Sequence, residues 1–320
     1  MSDGKTVTLV TRGSALALCQ AALVRERLLA ADPARPVETR VIRTSGDRLL
    51  DTALYPVGEK GLFSHELDQA VLGGEADLAV HSLKDLPTTL PDGLVIAAVT
   101  ERDDPRDVLV LREGEGETLA GLPPATRVGT SSLRRRAQLL RLRPDLEVTE
   151  IRGNVDSRLR KLDSGECDAL ILAAAGLWRL GLEVRITDYL EDGWLPAAGQ
   201  GALAVVARED DTDVLAELVG LDHPPSRLAV RAERALLARL EGGCQVPVGV
   251  LARAREDGLE LDALVADVDG KELIRDTRAG SLADPERVGR ELAERLLERG
   301  ADRILARLRR ESAPVVEGTS

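Results

Sequence analysis

Long apolar runs are absent from this sequence, since none approaches the roughly 18 residues that a membrane-spanning helix requires. The start before Val7 is polar and does not resemble a signal peptide, which favours a cytoplasmic protein without a membrane partner. Aromatic residues make up only 2% of the chain and the net charge is -12. Nucleic-acid binding needs a basic surface and often aromatic stacking platforms, so this composition argues against it.

Cysteine and histidine are also scarce, with three of each. Cys19, Cys167 and Cys244 lie far apart, form no CxxC pair and suggest no disulfide framework. None of the histidines has metal-ligand spacing with another His or Cys, so we expect no metal centre. The chain contains no Walker A pattern and no GxGxxG after a strand, which removes the usual phosphate cradles.

Short apolar strands alternate with amphipathic helices over the first two hundred residues. The pattern predicts strands at 6–11, 37–43, 76–82, 94–99, 108–111, 127–129, 147–151, 169–173 and 201–208. Helices are predicted at 14–30 and 62–72 and from about Ser131 and Asn154. This alternation indicates α/β domains whose parallel sheets are covered on both faces.

The pattern changes after about Pro225, where a helix (228–240), two alternating strands (246–253 and 259–267) and two helices (285–298 and 301–310) are predicted. The acidic stretch Asp103–Asp107 is interpreted as a linker between two α/β domains, and 201–208 as a strand that returns to the first. We therefore predict domain 1 at 1–102 and 198–220, domain 2 at 103–197, a small α+β domain 3 at 221–311 and a tail at 312–320.

Basic residues recur where strands pass into helices. Arg12 follows the first strand, Lys84 follows 76–82, and Arg134, Arg135 and Arg152 follow strands of the second series, most of them beside hydroxyl side chains. From Arg127 to Lys161 there are ten Arg and Lys against four Asp and Glu. A cation in the first turn of a helix opposes the helix dipole, so this repeated placement indicates a site for a small polyanion. Arg141, Arg143 and Arg160 are better explained as a solvated helix face.

Two further residues admit two interpretations each. Asp85 follows Lys84 at the end of a buried strand, where it either stabilises positive charge on a substrate or serves as a helix N-cap or an ion-pair partner of Lys84. Cys244 lies between glycines and a proline in a turn, where a thiol is either reactive or inert. Position alone leaves both questions open, whereas Cys19 and Cys167 are expected to pack.

Six segments, in this order, resemble the porphobilinogen deaminase family over nearly the whole chain. They are His81-Ser82-Leu83-Lys84-Asp85-Leu86-Pro87, Gly129–Arg135, Arg152-Gly153-Asn154-Val155, Leu172–Leu177, Leu195–Ala202 and Glu241–Gly249. The sequence departs from the family pattern at Thr44-Ser45-Gly46-Asp47 and Gly58-Glu59-Lys60-Gly61, within a segment that covers the active site in the family.

The resemblance implies two periplasmic-binding-protein-like α/β domains plus a small C-terminal α+β domain, in a monomeric transferase. It implies a dipyrromethane cofactor joined by a thioether to Cys244, and Asp85 as the catalytic group that stabilises the cationic azafulvene left when ammonia departs. Four porphobilinogen units would be joined head to tail and released by hydrolysis as hydroxymethylbilane. Carboxylates of cofactor and substrate would be held by Arg12, Ser14, Lys60, Ser82, Lys84, Thr130, Ser131, Ser132, Arg134, Arg135, Arg152, Arg158, Arg179 and Gln200.

The main alternative is a non-catalytic two-lobed receptor for a small polyanion, since a fold alone does not define an activity. A reversible receptor has no need of the Lys84-Asp85 pair or of Cys244. A regulatory ligand-sensing domain is a weaker alternative, because no helix-turn-helix segment accompanies it.

Overall fold

The computed structural model describes residues 6–46, 64–112, 118–191, 193–240 and 246–312. Within these ranges the strands, in chain order, are β1 (Val7–Arg12), β2 (Val37–Ile42), β3 (Leu78–Ser82), β4 (Leu94–Val99), β5 (Asp107–Leu111), β6 (Arg127–Gly129), β7 (Glu147–Thr149), β8 (Ala169–Ala173), β9 (Asp188–Leu190), β10 (Leu203–Arg208), β11 (Val248–Arg255), β12 (Gly258–Ala266) and β13 (Leu273–Gly280).

The helices of the described residues are α1 (Ala15–Ala31), α2 (His65–Leu72), α3 (Leu133–Leu142), α4 (Val155–Asp163), α5 (Ala174–Arg179), α6 (Thr212–Leu218), α7 (Pro224–Arg239), α8 (Pro285–Leu296) and α9 (Asp302–Ser312). Short 3₁₀ turns at 83–85, 119–121, 183–185 and 219–221 join some of these elements. No helix in the described ranges is both long and apolar enough to cross a bilayer.

Three sheets organise the chain. The first has the order β2-β1-β3-β10-β4, the second β7-β6-β8-β5-β9, and the third β11-β12-β13. The first two define the lobes of the α/β part, and the third, with α7, α8 and α9, forms the small C-terminal unit. The mixed α/β class expected from the sequence is therefore present.

Each lobe buries both faces of its sheet, as the alternating side chains of its central strands require. In β10, Val205 packs with the side of the sheet that α1 and α6 cover, whereas the next residue, Val206, packs with α2. In β5, Val108 and Leu109 divide in the same way between the two faces of the second sheet. Central strands that are apolar on both faces therefore identified the sheets in the sequence.

The expectation of parallel sheets is wrong for two strand pairs in each lobe. β10 runs antiparallel to β3 and β4, and β5 runs antiparallel to β8 and β9. Both strands enter their lobe directly from the other lobe. The chain arrives at the end of the sheet that faces the other lobe, which is where β3 and β8 finish. A strand that starts at that end must run antiparallel to β3 or β8.

The small C-terminal unit contains one strand that the sequence did not predict, β13. It pairs antiparallel with β12 at the edge of the sheet, and its residues Arg275, Asp276 and Arg278 make the apolar alternation too weak to recognise. Helix α7 begins at Pro224, four residues before the predicted start, because proline is tolerated in the first turn of a helix.

Two chain segments connect the lobes and lie side by side. We call residues 100–106 the first crossover and residues 195–202 the second crossover. The backbone N–H of Asp103 donates to the carbonyl of Gly201 (3.1 Å), and the Gln200 side-chain amide donates to the carbonyl of Pro105 (2.7 Å). The lobes are therefore joined by two hydrogen-bonded segments rather than by one flexible linker.

Candidate functional site

The space between the lobes contains two adjoining cavities that share Leu16, Gln20 and Ser82 in their walls. We call them the deep cavity and the Asp85 chamber. Their walls are formed where β1 and β3 end, where α1 and α4 begin and where the second crossover passes. Strand ends and helix starts supply free polar groups, so this is the expected place for a ligand in an α/β protein.

Cations dominate the polar wall of the deep cavity, which contains Lys84, Arg135, Arg158 and Arg179 together with Gln200. Burial and, next, the neighbouring charge of Arg135 lower the pKa of Lys84 to about 8, while Asp85 and Asp107 act in the opposite direction. Burial and Arg135 also lower the pKa of Arg158 to about 10. These groups therefore lie close enough to repel one another, and a bound anion would relieve that repulsion.

Arg158 offers the clearest sign of a missing partner. Its Nε is buried and makes no hydrogen bond to the described part of the chain. A buried N–H without an acceptor costs on the order of 1–3 kcal/mol. A ligand carboxylate in the deep cavity would supply the acceptor, in a geometry to which the guanidinium is suited.

Arg179 has a different setting, because it holds both crossovers. Its Nε donates to Asp103 (2.8 Å) and its NH2 donates to the carbonyl of Gly201 (2.7 Å), while its own carbonyl accepts from the thiol of Cys19 on α1 (2.8 Å). Arg179 thus borders the cavity and also ties α5 to the junction between the lobes.

The Asp85 chamber lies on the side of the first lobe. Asp85 ends the 3₁₀ turn 83–85 and is exposed to the chamber, whose wall also includes Arg12, Ser14 and His81. Burial, together with the charge of Arg12, lowers the pKa of His81 to about 4, so this imidazole is neutral at physiological pH. Asp85 also raises the pKa of both Lys84 and Arg158. The carboxylate therefore lies at the border of the cationic wall, where it can face a developing positive charge.

The cleft brings together many of the side chains that the sequence singled out: Arg12, Ser14, Ser82, Lys84, Asp85, Arg135, Arg158, Arg179 and Gln200. Others lie outside the two cavity walls. These are Thr130, Ser131, Ser132, Arg134 and Arg152.

Some of these hydroxyl groups have local structural partners. Ser14 and Ser132 cap helices α1 and α3 by accepting from the backbone N–H groups of Ala17 and Arg135. Thr130 is buried and accepts from the backbone N–H of Ser132. The hydroxyls beside the arginines are thus explained in part by helix capping.

Arg134 and Arg152 are both ion-paired. Arg134 is buried and donates to Asp107 (2.6 Å) and to the carbonyl of Leu195 (2.7 Å). Arg152 is partly exposed and pairs with Glu150 (2.5 Å). A direct role of these two arginines in ligand binding stays a prediction.

Two expected site residues, Lys60 and Cys244, lie outside the described residues. The segment that contains Cys244 joins α7 to β11. Strand β11 lies against the second crossover, because the backbone N–H of Val250 donates to the carbonyl of Pro196 (2.9 Å). The strand that follows the cysteine segment therefore contacts the same crossover whose residues 200–202 line the deep cavity.

Sequence reasoning missed two polar residues: Gln20, which lines the site, and Asp107, which binds Arg135 and Gln200 of the cavity wall. Gln20 lines both cavities and donates to the hydroxyl of Ser82 (2.8 Å). It is one turn after Leu16 and beside the buried Ala21, so an amide on the core-facing side of an amphipathic helix was the available signal. Asp107 was assigned to the linker, but it is the first residue of β5 and is completely buried.

Taken together, these features define a two-lobed α/β protein whose interlobe cleft is lined by several cations, with a carboxylate at their border. The comparisons with known proteins agree. The family model described as the dipyrromethane cofactor binding domain of porphobilinogen deaminase matches residues 7–216, and the model of that enzyme's C-terminal domain matches residues 227–298. The chain belongs to the porphobilinogen deaminase family.

Curated relatives are similar over almost their full length. The porphobilinogen deaminase of Desulforudis audaxviator is 55% identical over 306 residues, covering 95% of this chain and 98% of the relative. That of Syntrophobacter fumaroxidans is 50% identical over 311 residues, covering 97% and 100%.

Solved structures match at much lower similarity. The periplasmic VFT2 domain of Bordetella pertussis BvgS matches with a TM-score of 0.42 and 16% identity, covering 69% of this chain and 88% of that domain. The methionine-binding protein MetQ matches with a TM-score of 0.44 and 15% identity, covering 68% and 89%.

Proposed function

We propose that this chain is a transferase that joins four porphobilinogen units head to tail, with loss of ammonia, and releases hydroxymethylbilane by hydrolysis. Membership of the porphobilinogen deaminase family supports this activity. The structural observation that carries the proposal is the cleft itself, in which Asp85 borders a wall of Lys84, Arg135 and Arg158. We further propose a cytoplasmic monomer, in keeping with the resemblance to the family.

The described residues fit the dipyrromethane cofactor that the family model specifies. Each of its two rings carries an acetate and a propionate, so the group is a polyanion. The cations of the deep cavity and the orphaned Nε of Arg158 are the donors that such carboxylates need. When bound, the cofactor supplies the terminal pyrrole carbon at which the chain is extended, and we propose that a thioether to Cys244 holds it.

The residues of the cleft have two kinds of role, carboxylate binding and closure of the cavity wall. Lys84, Arg135, Arg158 and Arg179 bind carboxylates and orient the rings, while Ser82 and Gln20 close the wall between the deep cavity and the Asp85 chamber. Lys60 and Thr130, Ser131, Ser132, Arg134 and Arg152 are proposed as further contacts or supports on the family's pattern.

Asp85 is the proposed catalytic residue. Departure of ammonia from the porphobilinogen side chain leaves positive charge on the pyrrole, and a carboxylate that faces the pyrrole N–H stabilises that charge as it develops. This interaction is stronger in the transition state than in the ground state, so it raises kcat rather than only affinity. The neutral His81 in the same chamber adds no competing charge.

The test of the covalent step is the intact mass of the purified protein beside its Cys244→Ser variant. The native protein is expected to exceed its sequence mass by one dipyrromethane unit, and the variant is expected to match its own sequence. If both match their sequences, and porphobilinogen changes neither, the covalent mechanism is wrong and the polyanion receptor becomes the better hypothesis.

The test of the catalytic step compares Asp85→Asn with Asp92→Asn. Asp92 lies in an exposed turn of the same lobe and borders neither cavity. Asp85→Asn is expected to lower kcat by a factor on the order of 10²–10³, whereas Asp92→Asn should leave it unchanged. Equal activity of the two variants would exclude a catalytic role of Asp85.

A further inference from the structure

Asp107 is the most densely bonded acid of the described chain near the cleft. Its side chain is fully buried, with Oδ2 accepting from Arg134 (2.6 Å) and from the indole N–H of Trp194 (2.8 Å). Its Oδ1 accepts from Nε and NH2 of Arg135 (3.1 and 2.8 Å) and from the amide of Gln200 (2.8 Å). Asp107 itself does not border either cavity, but Arg135 and Gln200 do.

We infer that Asp107 is a positioning residue that aims the cations of both lobes at the ligand carboxylates. The inference rests on the proposed function, because it takes the ligand of the deep cavity to be the carboxylate-bearing cofactor and substrate. Asp107 starts β5 in the second lobe, Gln200 belongs to the second crossover, and Lys84 follows β3 in the first lobe. One buried carboxylate therefore organises groups from three parts of the fold.

The contact with Arg135 sets the direction of its guanidinium. Arginine has five N–H groups, and three bonds to the protein use Nε, NH1 and NH2: two to Asp107 and one to the carbonyl of Ile171 (2.8 Å). One N–H on each terminal nitrogen is left over for a carboxylate in the deep cavity. A side chain held in this way loses little conformational freedom when it binds, which is the benefit of preorganisation.

A carboxylate beside Arg135 would by itself weaken the attraction of that arginine for an anionic ligand. Arg134 prevents this loss of attraction. It is buried and forms an ion pair with Oδ2 of Asp107, the oxygen that Arg135 does not contact, and so neutralises the carboxylate charge. The two arginines and the aspartate together keep one net positive charge, at the end of the cluster that borders the cavity. This arrangement explains why two successive arginines lie in the first turn of α3.

The contact with Gln200 extends the same control to Lys84. Both N–H groups of the Gln200 amide are committed, one to Asp107 and one to the carbonyl of Pro105 (2.7 Å). The amide oxygen must then point away from Asp107, and it accepts from Nζ of Lys84 (3.5 Å). Asp107 thus determines which way the glutamine presents its oxygen to the lysine of the opposite lobe.

The experiment uses the holoenzyme with three variants: Asp107→Asn, the double variant Asp107→Asn with Arg134→Met, and Asp168→Asn as the matched control. Asp168 also forms a bidentate ion pair with an arginine, Arg127. It directly precedes β8, so this pair lies at the end of the sheet that is away from the cleft. Replacing a buried ion pair by uncharged residues of similar size usually preserves folding. The double variant therefore keeps the test available if Asp107→Asn alone does not fold.

Two readouts separate positioning from a merely structural role. The first is the KM for porphobilinogen and the pH profile of kcat/KM. Loss of a charge-assisted hydrogen bond predicts a KM raised about tenfold or more. The alkaline limb should move to lower pH, because Asp107 and Asp85 raise the pKa of Lys84 against the effects of burial, Arg135 and Arg134. The second readout, independent of activity, is solvent exchange of the Arg135 Nε–H by NMR.

The expected result is faster exchange of the Arg135 Nε–H, a higher KM and a shifted alkaline limb in both Asp107 variants, with none of these in Asp168→Asn. Unchanged exchange and an unchanged limb in a folded Asp107 variant would overturn the inference. If the wild-type protein does not consume porphobilinogen but the exchange difference is present, the proposed function fails while the positioning of Arg135 stands.

Discussion

Replacing Glu233 by glutamine should destabilise the protein far more than the same change at an exposed ion pair. Glu233 lies on α7 and its side chain is 0% exposed. It accepts from Arg102 of the first crossover (2.6 Å), from the backbone N–H of Gly199 in the second crossover (2.7 Å) and from that of Ala252 in β11 (2.7 Å). One carboxylate thus fastens the C-terminal unit to both crossovers.

The magnitude follows from this burial. Arg102 is only 10% exposed, so a neutral glutamine leaves its charge without a partner in a poorly solvated place. Arg102 and the backbone N–H groups of Gly199 and Ala252 all donate to the carboxylate. A glutamine has one acceptor oxygen and an NH2 group that is itself a donor, so no rotation of the amide satisfies all three. Breaking one side of a buried pair costs about 3–5 kcal/mol.

The control is Glu294→Gln. Glu294 pairs with Arg239 through two hydrogen bonds of 2.6 and 3.0 Å, but the two side chains are 50% and 42% exposed. Exposed pairs contribute about 0–1 kcal/mol. Urea unfolding of the full chain should therefore show a much lower midpoint for Glu233→Gln at an unchanged slope. If the two variants differ by less than about 1.5 kcal/mol, the buried carboxylate is not the clamp described above.

Three further outcomes are expected. Affinity for porphobilinogen should fall as the pH rises through about 8, where Lys84 loses its proton, and a Lys84→Met variant should lack this limb of the profile. Gly199→Ala should lower the unfolding midpoint more than Gly181→Ala. Both glycines have positive φ (70° and 66°), so backbone strain is similar, but only at Gly199 would the new Cβ lie 2.2 Å from a side chain, that of Leu83. Arg158→Met should weaken ligand binding yet cost little stability, because it removes a buried Nε that has no hydrogen-bond partner among the described residues. A large drop in the midpoint would argue against the ligand role.

Much of the secondary structure could be predicted because the determining signal is local. The strands 94–99, 127–129 and 169–173 have the predicted bounds, since each is a short apolar run between turn residues. Strand direction was not available locally: the sequence of β10 is the same whether it runs parallel or antiparallel. Its direction depends on the side from which the chain enters the lobe, which is a property of the whole topology.

The candidate site could be predicted in part for the same reason. Strand-to-helix corners converge in any α/β lobe, so basic residues such as Arg12 and Lys84 at these corners were expected to meet, and both border the cleft. The domain boundaries and the roles of the individual residues stay predictions. The family resemblance, by contrast, is confirmed by models that match residues 7–216 and 227–298.

Arg134 and Arg135 show where reasoning from charge alone stops. Successive residues of a helix point about 100° apart, so two adjacent arginines cannot both face one cavity in the same way. Here Arg135 borders the deep cavity and Arg134 turns inward to Asp107 and the carbonyl of Leu195. The excess of cations predicted a bound anion, which stays a prediction, whereas one anion that the cluster holds belongs to the protein itself. Only the fold shows that Asp107, which is remote from α3 in sequence, is the acid that binds both arginines. Because Arg134 balances its charge, this buried acid holds Arg135 rigidly and the cleft keeps its positive charge.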